Sequence, residues 1–276
     1  MGLFRTSSLF HYTEKESLKQ ILRIGLYPNY CSEDFSTGNE TFIVGIPMVS
    51  FCDIPLMRSK LFTDRYNKKF AIALKKEWGL KKNINPLLYI QNESIIHALK
   101  LYRTKEVALH RRLQEYGSDG NRITINLKLG ENRELPELKD FINHGIQSYA
   151  NRQLWGYCKK YYDEKRGTVN YEENEWRYIV LEDTKCPWFW SKEEYEQWRG
   201  NKAEKKPEPS KYLKEQKLTF EVSDITHIIV ENEQDVLDFI SYIKKVNMIG
   251  GNDLTEEQKN LLITKIISWK DIENDF

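Results

Sequence analysis

Hydrophobic and polar positions near the start of the chain change from the period of a strand to the period of a helix. Residues 8–12, Ser-Leu-Phe-His-Tyr, form a short aromatic stretch that favours a buried strand. Leu18, Ile21 and Leu22 follow at helical spacing, and Gly25 stands where a left-handed residue ends a helix. The pattern predicts a strand followed by an amphipathic helix.

Further along, short apolar runs alternate with helical patterns at irregular intervals. The predicted strands cover residues 48–53, 70–74, 87–90, 123–129, 154–162, 175–181, 218–222 and 227–230. The predicted helices cover residues 76–80, 93–116, 136–150, 233–246 and 255–268, and residues 28–45 have no clear period and predict a loop. Irregular alternation of this kind predicts an α+β fold (mixed α/β) rather than a regular array of βαβ units.

A polar, proline-containing run at residues 202–211 interrupts these elements. Such a run is typical of an exposed excursion or linker. We therefore expect a core at residues 1–182, an excursion at 183–212, and strands and helices at 213–276 that either complete the core or are appended to it.

Composition and charge exclude several classes of protein. The 42 basic and 41 acidic side chains nearly cancel, which gives no global attraction to nucleic acid or anionic lipid. The four cysteines form no CxxC pair, a usage that fits reduced cytoplasmic thiols. No apolar run approaches the ~18 residues that span a bilayer. We expect a soluble, cytoplasmic protein that binds no membrane, and the lack of G-x-G-x-x-G and Walker A motifs argues against Rossmann and P-loop sites.

The segment around residue 175 carries acids at alternate positions. Glu173, Glu175 and Arg177 fall on one face of a predicted strand, as a solvated ladder of charges or as a polar site. In a site, Glu175 would stabilise the oxocarbenium-like state of nicotinamide–ribose cleavage. Glu173 would orient or deprotonate the nucleophile, and Arg177 would bind a phosphate or hold Glu175 in place.

His11 also has two interpretations. A lone histidine in an apolar strand is commonly a core residue with satisfied hydrogen bonds. Here it directly precedes Tyr12 and Thr13, which places three hydrogen-bonding side chains where the strand leads into a helix. A neutral imidazole there could bind ribose hydroxyls while an aromatic ring stacks on nicotinamide.

A second strand end carries Ser50, Phe51 and Cys52, which supply a hydroxyl, an aromatic ring and a thiol. A nucleophilic thiol needs a base and an electropositive setting, so we interpret Cys52 as a small buried residue. No second histidine stands at ligand spacing from His11, and no metal site is expected.

Several ordered blocks resemble the AbiGi family of abortive-infection proteins, which act in phage defence and are often described as antitoxins. The blocks are Phe-His-Tyr-Thr at residues 10–13, residues 18–26, Val-Ser-Phe-Cys-Asp-Ile-Pro at 49–55, Lys-Lys-Glu-Trp-Gly at 75–79, Asn-Pro-Leu-Leu-Tyr at 85–89 and Glu-Asn-Glu-Trp-Arg at 173–177. The resemblance spans residues 8–182 and implies a role in phage defence.

A more distant resemblance links the chain to ADP-ribosyltransferases, including the DarT-like enzymes that modify DNA. It rests on the opening strand with His11 and Thr13, the helix ending near Gly-Leu, and the late strand with Glu175. It implies an ADP-ribosyltransferase-like split β-sheet core with flanking helices. It also implies Glu175 as the catalytic residue and Glu173 as the outer acid of an E-x-E pair. The implied NAD-binding set is His11, Tyr12, Thr13, Ser50, Phe51 and Arg177.

Three functional hypotheses follow. The first is an anti-phage abortive-infection protein that acts as a NAD-dependent mono-ADP-ribosyltransferase, with NAD as substrate and nucleic acid preferred over protein as acceptor. The second is a non-catalytic antitoxin or regulatory subunit that keeps the transferase scaffold and binds a partner toxin. The third, a nuclease using Glu172, Glu173 and Glu175, requires carboxylates from several segments around two metals, and one acidic segment supplies them here.

Overall fold

The computed structural model describes residues 6–38, 40–58, 60–104, 154–182, 185–200 and 207–275. The chain divides into two compact units, one of residues 1–89 with 159–276 and one of residues 90–158. The predicted core of residues 1–182 spans parts of both units. Its middle forms the second unit, and residues 213–276, which we expected to complete or extend the core, belong to the first.

Fourteen strands and a set of helices make up the described chain. The strands are β1 (Ser8–Thr13), β2 (Asn29–Asp34), β3 (Ile43–Cys52), β4 (Phe70–Lys75), β5 (Asn85–Pro86), β6 (Leu88–Ile90), β7 (Cys158–Lys160), β8 (Tyr162–Asp163), β9 (Thr168–Val169), β10 (Glu175–Ile179), β11 (Ile225–Val230), β12 (Met248–Ile249), β13 (Asn252–Asp253) and β14 (Ile266–Ser268). The helices are α1 (Lys15–Ile24), α2 (Lys60–Tyr66), α3 (Lys76–Lys81), Lys192–Arg199, Lys211–Glu215, Glu233–Lys245, Glu256–Ile263 and Trp269–Asp275, and residues 93–104 are also helical.

The main sheet has eight strands in the order β14-β11-β4-β1-β3-β10-β5, and β2 pairs with β3 beside this path. Its pairs are antiparallel except for β11 with β14. β4 lies in the interior of the sheet and its first five residues are buried, as expected for a strand covered on both faces. The mixed α/β prediction is confirmed, whereas an ADP-ribosyltransferase fold stays a prediction.

The predicted opening strand and helix are confirmed as β1 and α1. Leu18 and Leu22 have no exposed surface and pack in the main core with Phe239 from the helix Glu233–Lys245. Gly25 follows with φ of +92°, and its N–H donates to the carbonyl of Ile21 at 2.9 Å. Its backbone conformation is one that glycine adopts with little strain.

Other predicted boundaries are wrong. Residues 28–45 contain β2 and the start of β3 rather than a loop. In residues 218–222, Leu218 forms one isolated bridge with Leu26, and no strand is present there. Residues 154–157 are helical, so the predicted strand begins later, at Cys158. The last predicted helix ends at Ile263, because Ile266–Ser268 pairs with β11.

The predicted excursion at 183–212 also needs correction. It contains the helix Lys192–Arg199, whose N-terminus is capped by Ser191. Trp188 and Tyr195 are buried, and Tyr195 belongs to an aromatic cluster with Tyr30 of β2. Aromatic burial holds this part of the predicted excursion against the sheet.

Three predicted segments lie outside the described residues: the strand at 123–129, the helix at 136–150 and residues 105–116 of the long helix. In the part that is described, no helix is long and apolar enough to cross a membrane.

Candidate functional site

Strand β10 directs two charged side chains, an acidic and a basic one, toward the protein interior. Its buried positions alternate, so Glu175, Arg177 and Ile179 point inward. The Arg177 guanidinium binds the Glu175 carboxylate through two hydrogen bonds, Nε to Oε1 at 2.6 Å and Nη2 to Oε2 at 3.1 Å. Arg177 has no exposed surface, and its Nη2 also donates to Glu33 of β2. Of the two roles predicted for Arg177, the geometry matches the holding of Glu175.

Lys159 of β7 contacts the same carboxylate from another segment. Its Nζ lies 2.9 Å from Oε2 of Glu175 and 2.7 Å from Oε2 of Glu173. Glu173 does not continue the strand as predicted. It ends a 3₁₀ turn, Asn170–Glu173, and the left-handed residue Asn174 separates that turn from β10. One ammonium group therefore joins two acids that were predicted to share a strand face.

The second oxygen of Glu173 binds helix α2. Arg65 Nη1 lies 3.2 Å from Oε1 of Glu173, and the Tyr66 hydroxyl donates to the same oxygen. We call the whole set the buried charge network, and it consists of Glu33, Arg65, Tyr66, Lys159, Glu173, Glu175 and Arg177. The network connects five segments of the first unit that lie far apart in sequence.

The charges in this network determine its protonation. Burial alone would raise the pKa of Glu175, but the charges and hydrogen bonds of Arg177 and Lys159 hold that pKa below its ordinary value. Burial raises the pKa of Glu33 despite the nearby Arg177. Burial and the charge of Glu173 raise the pKa of Tyr66 to about 12. Glu175 is thus held as a carboxylate, and Tyr66 as a neutral donor.

His11 has its hydrogen bond within the sheet. Its Nδ1 lies 2.8 Å from the carbonyl oxygen of Ser50, so this nitrogen carries the proton and donates. Burial lowers the pKa of His11, although the bond to Ser50 opposes that shift. Its ring centroid lies 5.8 Å from that of Phe51. This is the arrangement expected of a neutral, half-buried histidine whose hydrogen bond lies within the sheet.

The sheet register places His11 and Glu175 on opposite faces. Phe10 pairs with Cys52, and Cys52 pairs with Glu175, so these three side chains share a face. His11 follows Phe10 and points to the other face, where it contacts Phe51. The expected single cleft around His11 and Glu175 is therefore corrected, since β3 lies between their strands and their side chains diverge.

The remaining predicted NAD-binding residues are divided in the same way. Phe51 is fully buried in the main core, 5.9 Å from the ring of Trp78, and has no free face for stacking on nicotinamide. Ser50 pairs in register with Arg177, and its hydroxyl lies 3.5 Å from the sulfur of Met48. By alternation, one face carries His11, Thr13 and Phe51, and the other carries Tyr12, Ser50, Glu175 and Arg177.

The edge of β3 that faces β1 has a gap in its strand pairing. β1 pairs with this edge at Cys52, and β2 pairs with the same edge from Ile43 to Met48. β10 occupies the opposite edge at both Met48 and Cys52. The three residues between, 49–51, have no strand partner in the described register on the β1 side. Within this gap, His11 supplies the hydrogen bond to the Ser50 carbonyl.

Besides Tyr66, sequence reasoning missed Glu33 and Lys159 of the buried charge network. Glu33 lay in a segment predicted as a loop, and Lys159 lay in the predicted strand at residues 154–162, where nothing marked it as a partner of an acid. Their roles come from pairing across 144 and 16 residues, respectively. No local pattern marks such partners. Within the described ranges, no group of three or more His, Cys, Asp and Glu side chains is arranged to hold a metal ion.

Comparison with known proteins identifies the family. A family model described as "Putative abortive phage resistance protein AbiGi, antitoxin" matches residues 25–231, most of the chain. The chain belongs to the AbiGi family. A similar protein from Lactococcus lactis subsp. cremoris, "Abortive phage resistance protein AbiGi", is 28% identical over 250 residues, covering 84% of this chain and 89% of that protein. No solved structure matches the chain. The AbiGi resemblance is confirmed and supports a role in phage defence, while the DarT-like resemblance stays a prediction.

Proposed function

We propose that this AbiGi-family chain acts in phage defence as a non-catalytic antitoxin that binds a partner toxin. The proposal takes up the function named in the description of the family model. The observation that carries it is the enclosure of Glu175, the residue that a transferase mechanism would require to face its substrate. The buried charge network then has a structural role, and the activity resides in a protein-binding surface.

The geometry of Glu175 argues for this structural role. Its Oε1 accepts from Arg177, its Oε2 accepts from both Arg177 and Lys159, and the residue is 6% exposed. Stabilising an oxocarbenium-like state requires a carboxylate directed at the sugar carbon. Here the two cations make three hydrogen bonds to a carboxylate that has about four acceptor sites, so most of its acceptor capacity is directed at Arg177 and Lys159.

The protonation of Glu175 argues only against a role as a general acid or base, because electrostatic stabilisation of a sugar cation needs an anion in any case. A general base or acid works best with a pKa near the working pH. Arg177 and Lys159 hold the pKa of Glu175 below its ordinary value, so the group remains an anion paired with two cations. Some buried ion pairs specify one arrangement of the segments that they join, and we assign that role to this network.

Co-expression provides the test. The chain is expressed in a bacterial host together with the product of each gene that adjoins its own, and growth is followed. We expect one of these products to arrest growth alone and this chain to relieve the arrest by forming a complex that survives gel filtration. In parallel, the purified chain and the complex are incubated with labelled NAD, nucleic acid and host protein, and no label should be transferred.

A defined pair of results would contradict the antitoxin proposal. Growth arrest caused by this chain alone, together with transfer of label that Glu175→Gln abolishes, would overturn the antitoxin proposal. Glu164→Gln, on an exposed turn of the same unit, is the matched control for removal of one carboxylate. A transfer activity that both variants retain would exclude Glu175 as the catalytic group.

One observation favours the second candidate, a NAD-dependent ADP-ribosyltransferase. The strand pairing between β1 and β3 is confined to Phe10 with Cys52, while β1 pairs with β4 over six residues. An opening between two halves of a sheet is what the split-sheet resemblance implies, and His11 lies beside it. The labelled-NAD assay above decides between the two candidates, with nucleic acid and protein as separate acceptors.

A further inference from the structure

Two tyrosines form an exposed aromatic surface next to the buried charge network. Tyr161 and Tyr171 are 39% and 53% exposed, and their rings stack with centroids 5.8 Å apart and planes inclined by 26°. Tyr89 packs edge-on against Tyr171 at 5.2 Å. We call Tyr161 and Tyr171 the tyrosine platform. Tyrosine is enriched among the residues that contribute most to binding at protein interfaces.

The platform is held rigid from below. The backbone N–H of the buried Asn170 donates to the carbonyl of Tyr161 at 2.8 Å, and its side chain donates to the carbonyl of Lys160 at 3.0 Å. The Tyr89 hydroxyl accepts from the backbone N–H of Glu175 at 2.8 Å. Rings fixed in this way lose little conformational freedom when a partner covers them.

The charges around the platform favour a protein as its occupant. Beside Tyr171, the exposed acid Glu172 pairs with Arg65 at 3.3 Å. On the neighbouring turn, Arg166 lies 3.6 Å from Asp163. Nucleic-acid sites need cations that phosphates can neutralise, whereas this rim carries both signs in pairs. An aromatic centre with a mixed polar rim matches the composition of protein–protein interfaces.

We propose that the tyrosine platform is the surface on which this chain docks its partner protein, the toxin of the function proposed above. The proposal rests on that function and adds the location of the contact. Tyr161 and Tyr171 would contact aliphatic or arginine side chains of the toxin. Glu172 and Arg65 would face complementary charges at the edge of the interface.

The test measures the affinity of the purified chain for the toxin that it relieves, by calorimetry, for the wild type and four variants. The double variant Tyr161→Ala/Tyr171→Ala should bind at least tenfold more weakly and fail to relieve growth arrest. Tyr161→Phe/Tyr171→Phe, which keeps the rings, should bind within about threefold of wild type. Tyr102→Ala, an equally exposed tyrosine of the other unit, should bind as wild type does, and so should Leu237→Ala.

The outcomes separate the two proposals. Suppose that the wild type relieves the growth arrest and that the affinity of the double alanine variant for the toxin is within twofold of the wild-type affinity. The platform is then not the docking surface, and the antitoxin function stands. If no adjoining gene product is relieved by the wild type, the antitoxin function is wrong and the platform proposal falls with it. Circular dichroism and thermal melting establish that the double variant is folded.

Two other occupants are tested in parallel with the chain alone. Fluorescence anisotropy measures binding of single-stranded DNA and RNA 20-mers, and sedimentation measures self-association. Salt-sensitive oligonucleotide binding that the double alanine variant loses would overturn the proposal in favour of nucleic acid. A dimer that the same variant abolishes would overturn it in favour of a second copy of this chain.

Discussion

The guanidinium of Arg177 donates two hydrogen bonds, of 2.6 and 3.1 Å, to the carboxylate of Glu175. Glu175 lies two residues earlier on the same strand. Neighbours at this spacing share a strand face, so the pair forms without bending the backbone. Since Arg177 has no exposed surface, burying the two charges costs desolvation free energy. Further hydrogen bonds to the two side chains offset that cost. Glu33 and Lys159 supply those contacts from β2 and β7.

Removal of Arg177 should destabilise the fold strongly. Arg177→Ala leaves Glu175 and Glu33 buried without their main counter-charge, and breaking a buried pair in this way costs about 3–5 kcal/mol. Arg166→Ala is the matched control, because its exposed side chain should contribute about 0.5 kcal/mol or less. Urea unfolding followed by tryptophan fluorescence measures both. A loss below about 1 kcal/mol for Arg177→Ala would contradict the structural role.

Acid should weaken the folded state through Glu175. Its pKa lies below the ordinary value of 4.5 in the folded chain, so its contribution is complete above about pH 4.5 and is lost as the pH falls toward the folded pKa. Glu33 works in the opposite direction, because burial raises its pKa and the folded state takes up its proton more readily. We expect Glu175→Gln to flatten the fall of unfolding free energy between pH 5 and about pH 2.

The control for this pH profile is Glu164→Gln, which removes an exposed acid from a turn. Its unfolding free energy should follow that of the wild type across the same acid range. A Glu175→Gln profile as steep as that of the wild type would mean that other acids govern acid unfolding.

Gly25 should not tolerate a side chain. Its φ is +92°, and a Cβ built there would lie 2.6 Å from the carbonyl oxygen of Leu218. Gly38 provides the control, since its φ is also positive at +53° but a Cβ there meets nothing within 4 Å. Gly25→Ala should therefore lower the unfolding free energy by about 1 kcal/mol more than Gly38→Ala does. Equal losses at both sites would show that the contact with Leu218 relaxes freely.

Cys52 should be unreactive in the folded chain. Burial, with the nearby charges of Glu175 and Glu173, raises the pKa of its thiol well above the ordinary value. The thiolate is the reactive form, so iodoacetamide at pH 8 should leave Cys52 unmodified in the native protein. The same reagent should label it fully in urea. Mass spectrometry of the peptide measures both states, and rapid native labelling would contradict this environment.

Local sequence patterns predicted the elements whose partners lie nearby. The period of Leu18 and Leu22 indicated α1, and the apolar run at residues 70–74 indicated β4, because one buried face leaves a direct trace in the sequence. β2 left no such trace. Its Glu33 faces Arg177 rather than an apolar core, so the strand reads as a polar loop until its partner is known.

Long-range pairing decided the rest. Helical periodicity continued through residues 255–268, yet Ile266–Ser268 leaves the helix to pair with Ile228–Val230. The candidate site failed to assemble as expected for a related reason. Alternation correctly turned Glu175 and Arg177 to one face, but only the register through Cys52 reveals that His11 lies on the other. A single sequence contains no record of that register.

The place of β4 within the sheet has a consequence for synthesis on the ribosome. Its apolar residues emerge early and gain β1 on one edge, whereas β11, which covers the other edge, is translated far later. Until β11 is made, the unpaired edge of β4 can form backbone hydrogen bonds with other nascent chains. A premature stop before Ile225 should thus yield aggregates rather than a shorter working protein.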